Sequence, residues 1–343
     1  MPPETLGRAP SVIADLPRLR LAQLPTPLED ARRLTKALGG PRILLKRDDL
    51  TGVGLGGNKV RKLEFVIGRA VAEGVDSLVV SGGFQSNLAR IAAAIGNRLG
   101  LEVVLVLGGE PDEPRLPVGN LLLDRLHGVT VHTVDTSPRW DFGTAVEDVA
   151  DDLRRRGKRP FVVPLGGSGP EGMAGYISAT EELLSQLAEL ELQPSLLYVA
   201  VGSGGTYSGL VLGALNQTAP YQVVGISVSR SREYLLEQLP PAAGIAAEVL
   251  GLARRPSASD LWVDDGYIGG GYGAMTEGCR SAIALVARKE GVLLDPVYSG
   301  KAMHGLIDHI QSGRISSHET VVFLHTGGWP ALFAYGAAAL GVG

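Results

Sequence analysis

The sequence predicts an α/β fold made of two αβα domains, each with a twisted, mainly parallel sheet. Strand-like and helix-like segments alternate along the chain, as they do where helices connect parallel strands. The strands, of which 196–201 is typical, are continuous apolar runs rather than alternations of apolar and polar residues, so both faces of the sheets are expected to be covered. The 343 residues include 47 glycines, which suits many tight turns.

The order of the elements follows from apolar periodicity and from the residues that end helices. A short helix over 30–38 ends at Gly39-Gly40, since glycine commonly terminates helices. A second helix runs from Lys59 to Ala72 and carries its apolar residues on one face. We predict strands at 43–47, 77–80, 102–107, 130–134, 161–164, 196–201 and 223–227 and a last strand ending near 323, with helices at 120–127, 144–156, 171–191 and 301–311 and others starting near 87, 207 and 230.

Composition excludes several classes of function. Lys and Arg number 32 against 36 Asp and Glu, a net charge of −4, so no nucleic-acid partner is expected. Cys279 is the single cysteine, which excludes an internal disulfide framework and fits a reducing compartment. No apolar run approaches the length of a membrane span and no secretory signal pattern opens the sequence. We therefore expect a cytoplasmic protein with no membrane association.

The segment Gly56-Gly57-Asn58-Lys59 joins the strand 43–47 to the next helix. Glycine allows close approach of the backbone to a ligand, and a lysine at the start of a helix can present its amine to a cavity. Taken alone, Lys59 is weak evidence for a site, because most lysines are simply solvated ammonium groups. Its interpretation depends on the other loops.

The segment Gly202-Ser203-Gly204-Gly205-Thr206 lies between a strand and a helix. Free backbone N–H groups, the helix dipole and two hydroxyl groups make it a candidate phosphate-binding loop. It lacks the Gly-Lys-Ser/Thr ending of a Walker loop, and the third glycine of a dinucleotide fingerprint is not evident. The alternative is a plain tight turn.

Three further loops carry polar side chains next to glycines. Ser86 and Asn87 fall at a predicted helix start, where Ser86 either caps the helix or binds a carboxylate. Tyr272 lies in a glycine-rich loop, Tyr298 in a turn before a helix, and Thr326 after the last strand. A tyrosine in such a place is more often part of the core or the rim of a site than catalytic.

A cavity lysine together with a phosphate-binding loop, in a sequence with no metal motif, points to pyridoxal 5′-phosphate (PLP) held as a Schiff base. We accordingly expect no metal. At this point the sequence closely resembles the family of D-cysteine desulfhydrases and 1-aminocyclopropane-1-carboxylate (ACC) deaminases, which are PLP enzymes of fold type II related to the tryptophan synthase β subunit. The segments that carry the resemblance are 56–62, 84–87, 201–209, 295–305 and 325–335.

The resemblance implies a role for each matching residue. Lys59 would form the Schiff base, Asn87 would bind the 3′ oxygen of the cofactor, and residues 202–206 would hold its phosphate. The implied catalytic residues are Lys59, Ser86, Tyr272 and Tyr298; the implied cofactor-binding residues are Lys59, Asn87, Gly202, Ser203, Gly204, Gly205, Thr206 and Thr326; the implied substrate-binding residues are Gln85, Ser86, Asn87, Tyr298 and Ser299.

Ser299 and Thr326 separate the two branches of the family. ACC deaminases resemble one another in carrying Glu and Leu at these positions, so this chain is similar to the desulfhydrase branch. A carboxylate at the pyridine nitrogen would make the cofactor ring a stronger electron sink. A neutral hydroxyl suffices when the β-substituent, such as a thiolate, leaves easily. Opening the ring of ACC, which has no such leaving group, needs a stronger electron sink.

The expected reaction is α-proton abstraction and β-elimination on a small amino acid, converting D-cysteine to pyruvate, sulfide and ammonia. The alternatives are ACC deamination, or elimination or replacement on a different amino acid. That last alternative is motivated by three departures from the family pattern, Phe84, Leu88 and Trp329. Outside the enzymes of this family, a non-catalytic PLP carrier and a nicotinamide oxidoreductase remain as alternatives.

The resemblance also sets the expected domain organisation. A smaller domain over 56–169 would be inserted into a larger PLP-binding domain formed by 1–55 and 170–343, with the cofactor between them. A homodimer is expected from the resemblance alone.

Overall fold

The computed structural model of the chain describes residue 13 and residues 15–109, 117–136 and 141–341. The strands in this part of the chain are β1 (Leu28–Asp30), β2 (Arg42–Lys46), β3 (Ser77–Gly83), β4 (Glu102–Gly109), β5 (Thr130–Asp135), β6 (Pro160–Val163), β7 (Leu196–Val201), β8 (Gln222–Ser227), β9 (Trp262–Asp264) and β10 (Thr320–Leu324). The helices are α1 (Arg32–Leu38), α2 (Asn58–Ala72), α3 (Asn87–Leu99), α4 (Gly119–Leu126), α5 (Ala145–Arg155), α6 (Pro170–Glu189), α7 (Gly205–Asn216), α8 (Arg232–Val249), α9 (Glu277–Glu290), α10 (Ser299–Gln311) and α11 (Leu332–Leu340).

The strands form two separate sheets. One has six strands in the order β1-β2-β10-β7-β8-β9, and the other has four in the order β5-β4-β3-β6. All pairings are parallel except that of β1 with β2, in which Leu28 lies opposite Lys46. The predicted α/β fold with two mainly parallel sheets is confirmed.

Both faces of the six-stranded sheet are covered, as the apolar runs predict. In β10, Val321 and Phe323 pack into one apolar cluster together with residues of α9 and α10. Val322 and Leu324 point the other way and pack with residues of α6 and α7. Because successive side chains of a strand alternate between faces, a strand with a helix layer on each side needs apolar residues throughout.

The four-stranded sheet is built from strands between residues 77 and 163, and the six-stranded sheet from strands on either side of that segment. This arrangement matches the proposed insertion of a segment over 56–169, although the domain bounds themselves stay a prediction. α7 begins at Gly205 rather than near 207, and the short antiparallel β1 and the helix α11 were not predicted. Within the described residues, no helix combines the length and apolarity that crossing a bilayer requires.

Candidate active site

A cavity of about 360 Å³ lies where the strands of both sheets end. Its wall includes Ser81 to Gly83 at the end of β3, Gly202 after β7, Ser229 after β8 and Thr326 after β10. In parallel sheets the carboxyl ends of the strands meet at one edge, which is where such folds bind ligands. The cavity therefore brings together loops that are far apart in the sequence.

Lys59 lines this cavity from the first turn of α2. Its Nζ donates a hydrogen bond to the carbonyl oxygen of Gly166 at 3.0 Å, and burial lowers the pKa of the amine to about 8. The preceding Gly57 has φ 122° and lies so close to the Thr326 carbonyl that an added Cβ would be 3.1 Å from its oxygen. Since L side chains rarely adopt this φ, glycine is needed here to bring the start of α2 into the cavity wall.

Lys62 is a second lysine beside this cavity, and it was not among the site residues predicted from the sequence. Its side chain is fully buried, and its Nζ donates to the carbonyl oxygen of Gly166 at 2.7 Å and to Ser168 Oγ at 3.3 Å. Burial, together with the charge of Lys59, holds the pKa of Lys62 well below its ordinary value. The available signal was the spacing of three from Lys59, which puts both lysines on one face of a helix.

The loop 202–206 has the local structure of an anion-binding helix start. Gly204 adopts the left-handed conformation with φ 85°, and α7 begins at the next residue with its N–H groups directed back toward the loop. Ser203 and Ser168 share a hydrogen bond of 2.9 Å between their hydroxyl oxygens, and Thr206 Oγ1 accepts a hydrogen bond from Asn58 Nδ2 at 3.0 Å. Of these residues, Ser203, Gly204, Thr206 and Asn58 line the cavity.

A phosphate group fits this loop on three grounds. A Cβ added at Gly205 would lie 2.7 Å from Lys62 Nζ and 2.6 Å from Ser168 Oγ, so a buried amine and a hydroxyl group lie directly against the loop. The helix start supplies N–H donors. The side chains in the described lining include Lys59 and Arg230 but neither Asp nor Glu, which leaves the cavity positively charged.

The start of α3 places Ser86 and Asn87 in the cavity wall. Ser86 Oγ accepts a hydrogen bond from the Ala89 N–H at 3.2 Å, so the predicted capping role is present, and the residue lines the cavity as well. Gln85 does not line the cavity. Its carboxamide donates to the Val118 carbonyl oxygen at 3.1 Å and accepts from the Asn120 N–H at 2.8 Å.

Tyr272 and Tyr298 meet at the cavity, and their hydroxyl oxygens are 2.6 Å apart. Thr326 also lines the cavity, whereas Ser299 does not. Ser299 is buried at the first position of α10, where its Oγ donates to Asp295 Oδ1 at 2.6 Å and accepts from the Asp295 N–H at 2.7 Å. Its hydroxyl group therefore anchors the turn that carries Tyr298.

Of the three departures from the family pattern, only one lines the cavity. Leu88 lines the cavity, whereas Phe84 is buried in the apolar core of the four-stranded sheet and Trp329 lies beside a different, more open hollow. Cavity residues that the sequence reading missed include Ser81, Leu165, Ser229 and Arg230. Within the residues described, no three His, Cys, Asp or Glu side chains are grouped to hold a metal ion.

His325 and Cys279 both have structural environments. The His325 ring donates from Nε2 to the Leu293 carbonyl oxygen at 2.9 Å, and its Nδ1 accepts from the Gly327 N–H at 3.2 Å. The ring thus fixes the turn that follows Thr326. Cys279 is fully buried among apolar residues, and burial raises the pKa of its thiol to about 12.

Comparisons with known proteins agree with this geometry. Residues 19–327 match the family described as pyridoxal-phosphate dependent enzymes. A putative ACC deaminase of Pyrococcus abyssi (strain GE5 / Orsay) is 39% identical over 326 residues, which cover 95% of this chain and 96% of that protein. A D-cysteine desulfhydrase of Salmonella choleraesuis (strain SC-B67) is 40% identical over 322 residues, covering 93% and 96%.

A solved structure supports the same assignment. The crystal structure of an ACC deaminase homologue superimposes with a TM-score of 0.85 at 36% sequence identity, covering 97% of this chain and 99% of that one. The half-buried Lys59 at the start of α2, the anion-binding loop before α7 and the shared sequence over nearly the whole length lead to one conclusion. This chain belongs to the family of pyridoxal-phosphate dependent enzymes.

Proposed function

We propose that this enzyme is a PLP-dependent lyase that removes the β-substituent and the amino group of a small amino acid, with D-cysteine as the substrate. D-Cysteine and water would give pyruvate, hydrogen sulfide and ammonia. The alternative is deamination of ACC, the activity after which two of the similar proteins are named.

The cofactor would be held by groups that already surround the cavity. Its phosphate would accept hydrogen bonds from the N–H groups and hydroxyls of residues 202–206 and from the amine of Lys62, its aldehyde would bond to Lys59, and its 3′ oxygen would accept from Asn87. When bound, PLP supplies a ring that spreads the negative charge left at the α-carbon of the substrate.

The protein side chains would supply binding and proton transfer. Ser86 and the N–H groups at the start of α3 would bind the substrate carboxylate. Lys59 Nζ, with its pKa lowered to about 8 by burial, would take the proton from the α-carbon, since a base works best when its pKa lies near the working pH. Tyr298 and Tyr272 would line the side of the leaving group. Gln85 and Ser299 are left out of this proposal because their side chains are engaged elsewhere.

One observation favours D-cysteine over ACC. Among the described residues that line the cavity, none is a carboxylate. A pyridine nitrogen without a carboxylate partner stays unprotonated, and the ring then draws electrons less strongly. A thiolate leaves readily under these conditions, whereas a cyclopropane carbon does not.

We further propose a cytoplasmic homodimer. The lone Cys279 fits a reducing compartment. Exposed apolar side chains lie at the hollow beside Trp329: Leu50 and Leu55 line it and are 43% and 44% exposed. Phe333, which is 69% exposed, meets the Trp329 ring edge to face. Patches of this kind mark protein interfaces. Sedimentation of the wild type as a dimer and of Phe333→Glu as a monomer would support this assignment, whereas a monomeric wild type would contradict it.

The test of the function is an absorbance spectrum of the purified protein, recorded before and after separate additions of D-cysteine, L-cysteine and ACC, with pyruvate and sulfide assayed. We expect a yellow protein that releases both products from D-cysteine. Lys59→Ala should lose the visible band, whereas Lys36→Ala, at an exposed lysine of α1, should keep it. Release of 2-oxobutyrate from ACC without sulfide from D-cysteine would overturn the choice of substrate.

A further inference from the structure

A polar cluster joins Asn87 to side chains of α3 and α4 that have no role in the proposal above. The cluster consists of Asn87, Arg90, Asn120 and Asp124, of which all but Asn87 are fully buried. Burying an arginine, an aspartate and an asparagine together is costly unless their hydrogen bonds compensate. The cluster therefore calls for a functional explanation.

Two donors hold the carboxamide oxygen of Asn87. Arg90 Nη2 donates to Asn87 Oδ1 at 3.2 Å, and Asn120 Nδ2 donates to the same oxygen at 3.0 Å. A carboxamide whose oxygen is fixed by two donors must direct its Nδ2 group the other way. Asn87 itself lines the cavity, and its Nδ2 lies beside Gly328, where an added Cβ would be 3.0 Å from it.

Each of the two donors is itself held in place. Arg90 donates from Nε to Asn120 Oδ1 at 2.7 Å and from Nη2 to the Gly56 carbonyl oxygen at 3.2 Å. Asn120 Nδ2 also donates to the Gln85 carbonyl oxygen at 2.8 Å. The cluster thus ties the loop before Lys59 and the start of α3, both of which reach the cavity wall, to the start of α4.

Asp124 is the acidic member of the cluster. Burial raises the pKa of Asp124 to about 7, and the charge of Arg90 opposes this rise. The pKa of Arg90 is in turn lowered to about 10 by burial, so the guanidinium keeps its positive charge at neutral pH. A positive charge behind the carboxamide oxygen polarises the amide and makes its N–H groups better donors.

We propose that Arg90 and Asn120 are positioning residues for the cofactor, which fix Asn87 so that its Nδ2 donates to the 3′ oxygen of PLP. This inference rests on the proposed placement of PLP beside Asn87 and not on the choice of substrate. A strong donor at the 3′ oxygen favours its anionic form, in which the bound cofactor absorbs visible light. A weaker or reversed donor favours the protonated oxygen, which moves absorbance into the near ultraviolet.

The decisive variant is Asn120→Asp, which keeps the shape of the side chain and the acceptor for Arg90. A carboxylate has no proton to donate to Asn87 Oδ1 and repels that oxygen, so the amide of Asn87 should turn over. We expect the visible band of the PLP-loaded protein to fall by at least half, with growth in the near ultraviolet. The dissociation constant for PLP should rise about tenfold, the effect of losing one hydrogen bond to a charged group.

Asn97→Asp provides the matched control. Asn97 is exposed on α3, and its Nδ2 also donates to a backbone carbonyl oxygen, that of His127, at 2.7 Å. This variant should keep the spectrum and the PLP affinity of the wild type. If Asn120→Asp does not fold, Arg90→Lys tests the same positioning of Asn87. Lysine retains the positive charge but cannot bridge Asn87, Asn120 and Gly56 together.

Asn87→Ala separates the two ways of failing. If Asn87→Ala changes the spectrum but Asn120→Asp and Arg90→Lys do not, the positioning role is wrong while the cofactor placement stands. If Asn87→Ala leaves the spectrum unchanged, PLP does not contact Asn87 and the inference falls with that placement. Changes in Asn87→Ala together with either positioning variant support it, whichever amino acid is the substrate.

Discussion

The hydroxyl oxygens of Tyr272 and Tyr298 are 2.6 Å apart, and their rings meet edge to face with centroids 5.9 Å apart. Burial raises the pKa of Tyr298 well above its ordinary value, and Tyr272 adds to this rise. Tyr298 therefore keeps its proton at neutral pH. The ring of Tyr298 also lies against the phosphate loop, since a Cβ at Gly202 would be 3.1 Å from its Cε1 atom. Tyr298 thus contacts both the loop 202–206 and Tyr272.

Replacing Tyr298 by Phe should lower kcat/KM for D-cysteine about a hundredfold, the usual scale for losing a group that handles a proton. The visible spectrum should not change, because the ring remains against the loop. Tyr221→Phe is the control, since Tyr221 is buried outside the cavity lining and its removal should leave kcat/KM within about twofold. Equal activity in Tyr298→Phe and Tyr221→Phe would exclude a role in the reaction.

The lowered pKa of Lys59 predicts how PLP capture depends on pH. Only the neutral amine attacks an aldehyde, and burial lowers the pKa of this amine to about 8. The rate at which cofactor-free protein gains its visible band should rise with pH up to about 8 and then level off. An unperturbed lysine, with a pKa of about 10.4, would give a rate that keeps rising beyond pH 9. Stopped-flow mixing with PLP distinguishes the two profiles.

Gly205→Ala tests the phosphate loop through the space available to a single methyl group. The added Cβ would lie 2.6 Å from Ser168 Oγ and 2.7 Å from Lys62 Nζ, so both groups would have to move away from the loop. We expect PLP affinity to fall at least tenfold, as measured by fluorescence titration. Gly244→Ala, in α8 where no atom lies within 4 Å of an added Cβ, should keep PLP affinity and add about 0.5–1 kcal/mol of stability. Equal affinities would show that the loop does not hold the phosphate.

Much of the fold was predictable because the governing signals are local. A strand covered on both faces must be largely apolar, and β7 is so over its whole length in the sequence. The loops that line the cavity were predictable for a related reason, because parallel strands all end at the same edge. The positions of Lys59, Asn87, Thr206 and Thr326 follow from that rule and from the family resemblance.

Other features depend on contacts that no local pattern records. Lys62 is buried because Gly166 and Ser168, more than 100 residues away, fold over it. The same holds for Arg90 and Asn120, which come from different helices. Gln85 and Ser299 have polar side chains beside the site, yet their hydrogen bonds go to neighbouring segments rather than into the cavity. Phe84 and Trp329 differ from the family pattern without lining the cavity.

The environment of Ser299 predicts that Ser299→Glu, which introduces the residue of the ACC deaminases, would destabilise this protein. Asp295 accepts hydrogen bonds from the N–H groups of Val297 and Tyr298, each at 2.9 Å, and from Ser299 Oγ at 2.6 Å. Ser299→Glu would remove that last bond and bury a second carboxylate beside Asp295. We expect a loss of about 3 kcal/mol in the free energy of unfolding at pH 7.5, as for other unpaired buried charges.

The loss of stability in Ser299→Glu should increase as the pH rises. Burial beside Asp295 would raise the pKa of the new glutamate above its unfolded value of about 4.3. Between these two values the folded state binds more protons than the unfolded state, so stability falls as pH rises. The difference from the wild type in urea denaturation should therefore be smaller at pH 4.5 than at pH 7.5. Ser312→Glu, at the exposed end of the same helix, should cost less than about 1 kcal/mol at either pH. If Ser299→Glu were as stable as Ser312→Glu at pH 7.5, the turn would have room for a second carboxylate, and Ser299 would no longer argue against ACC as the substrate.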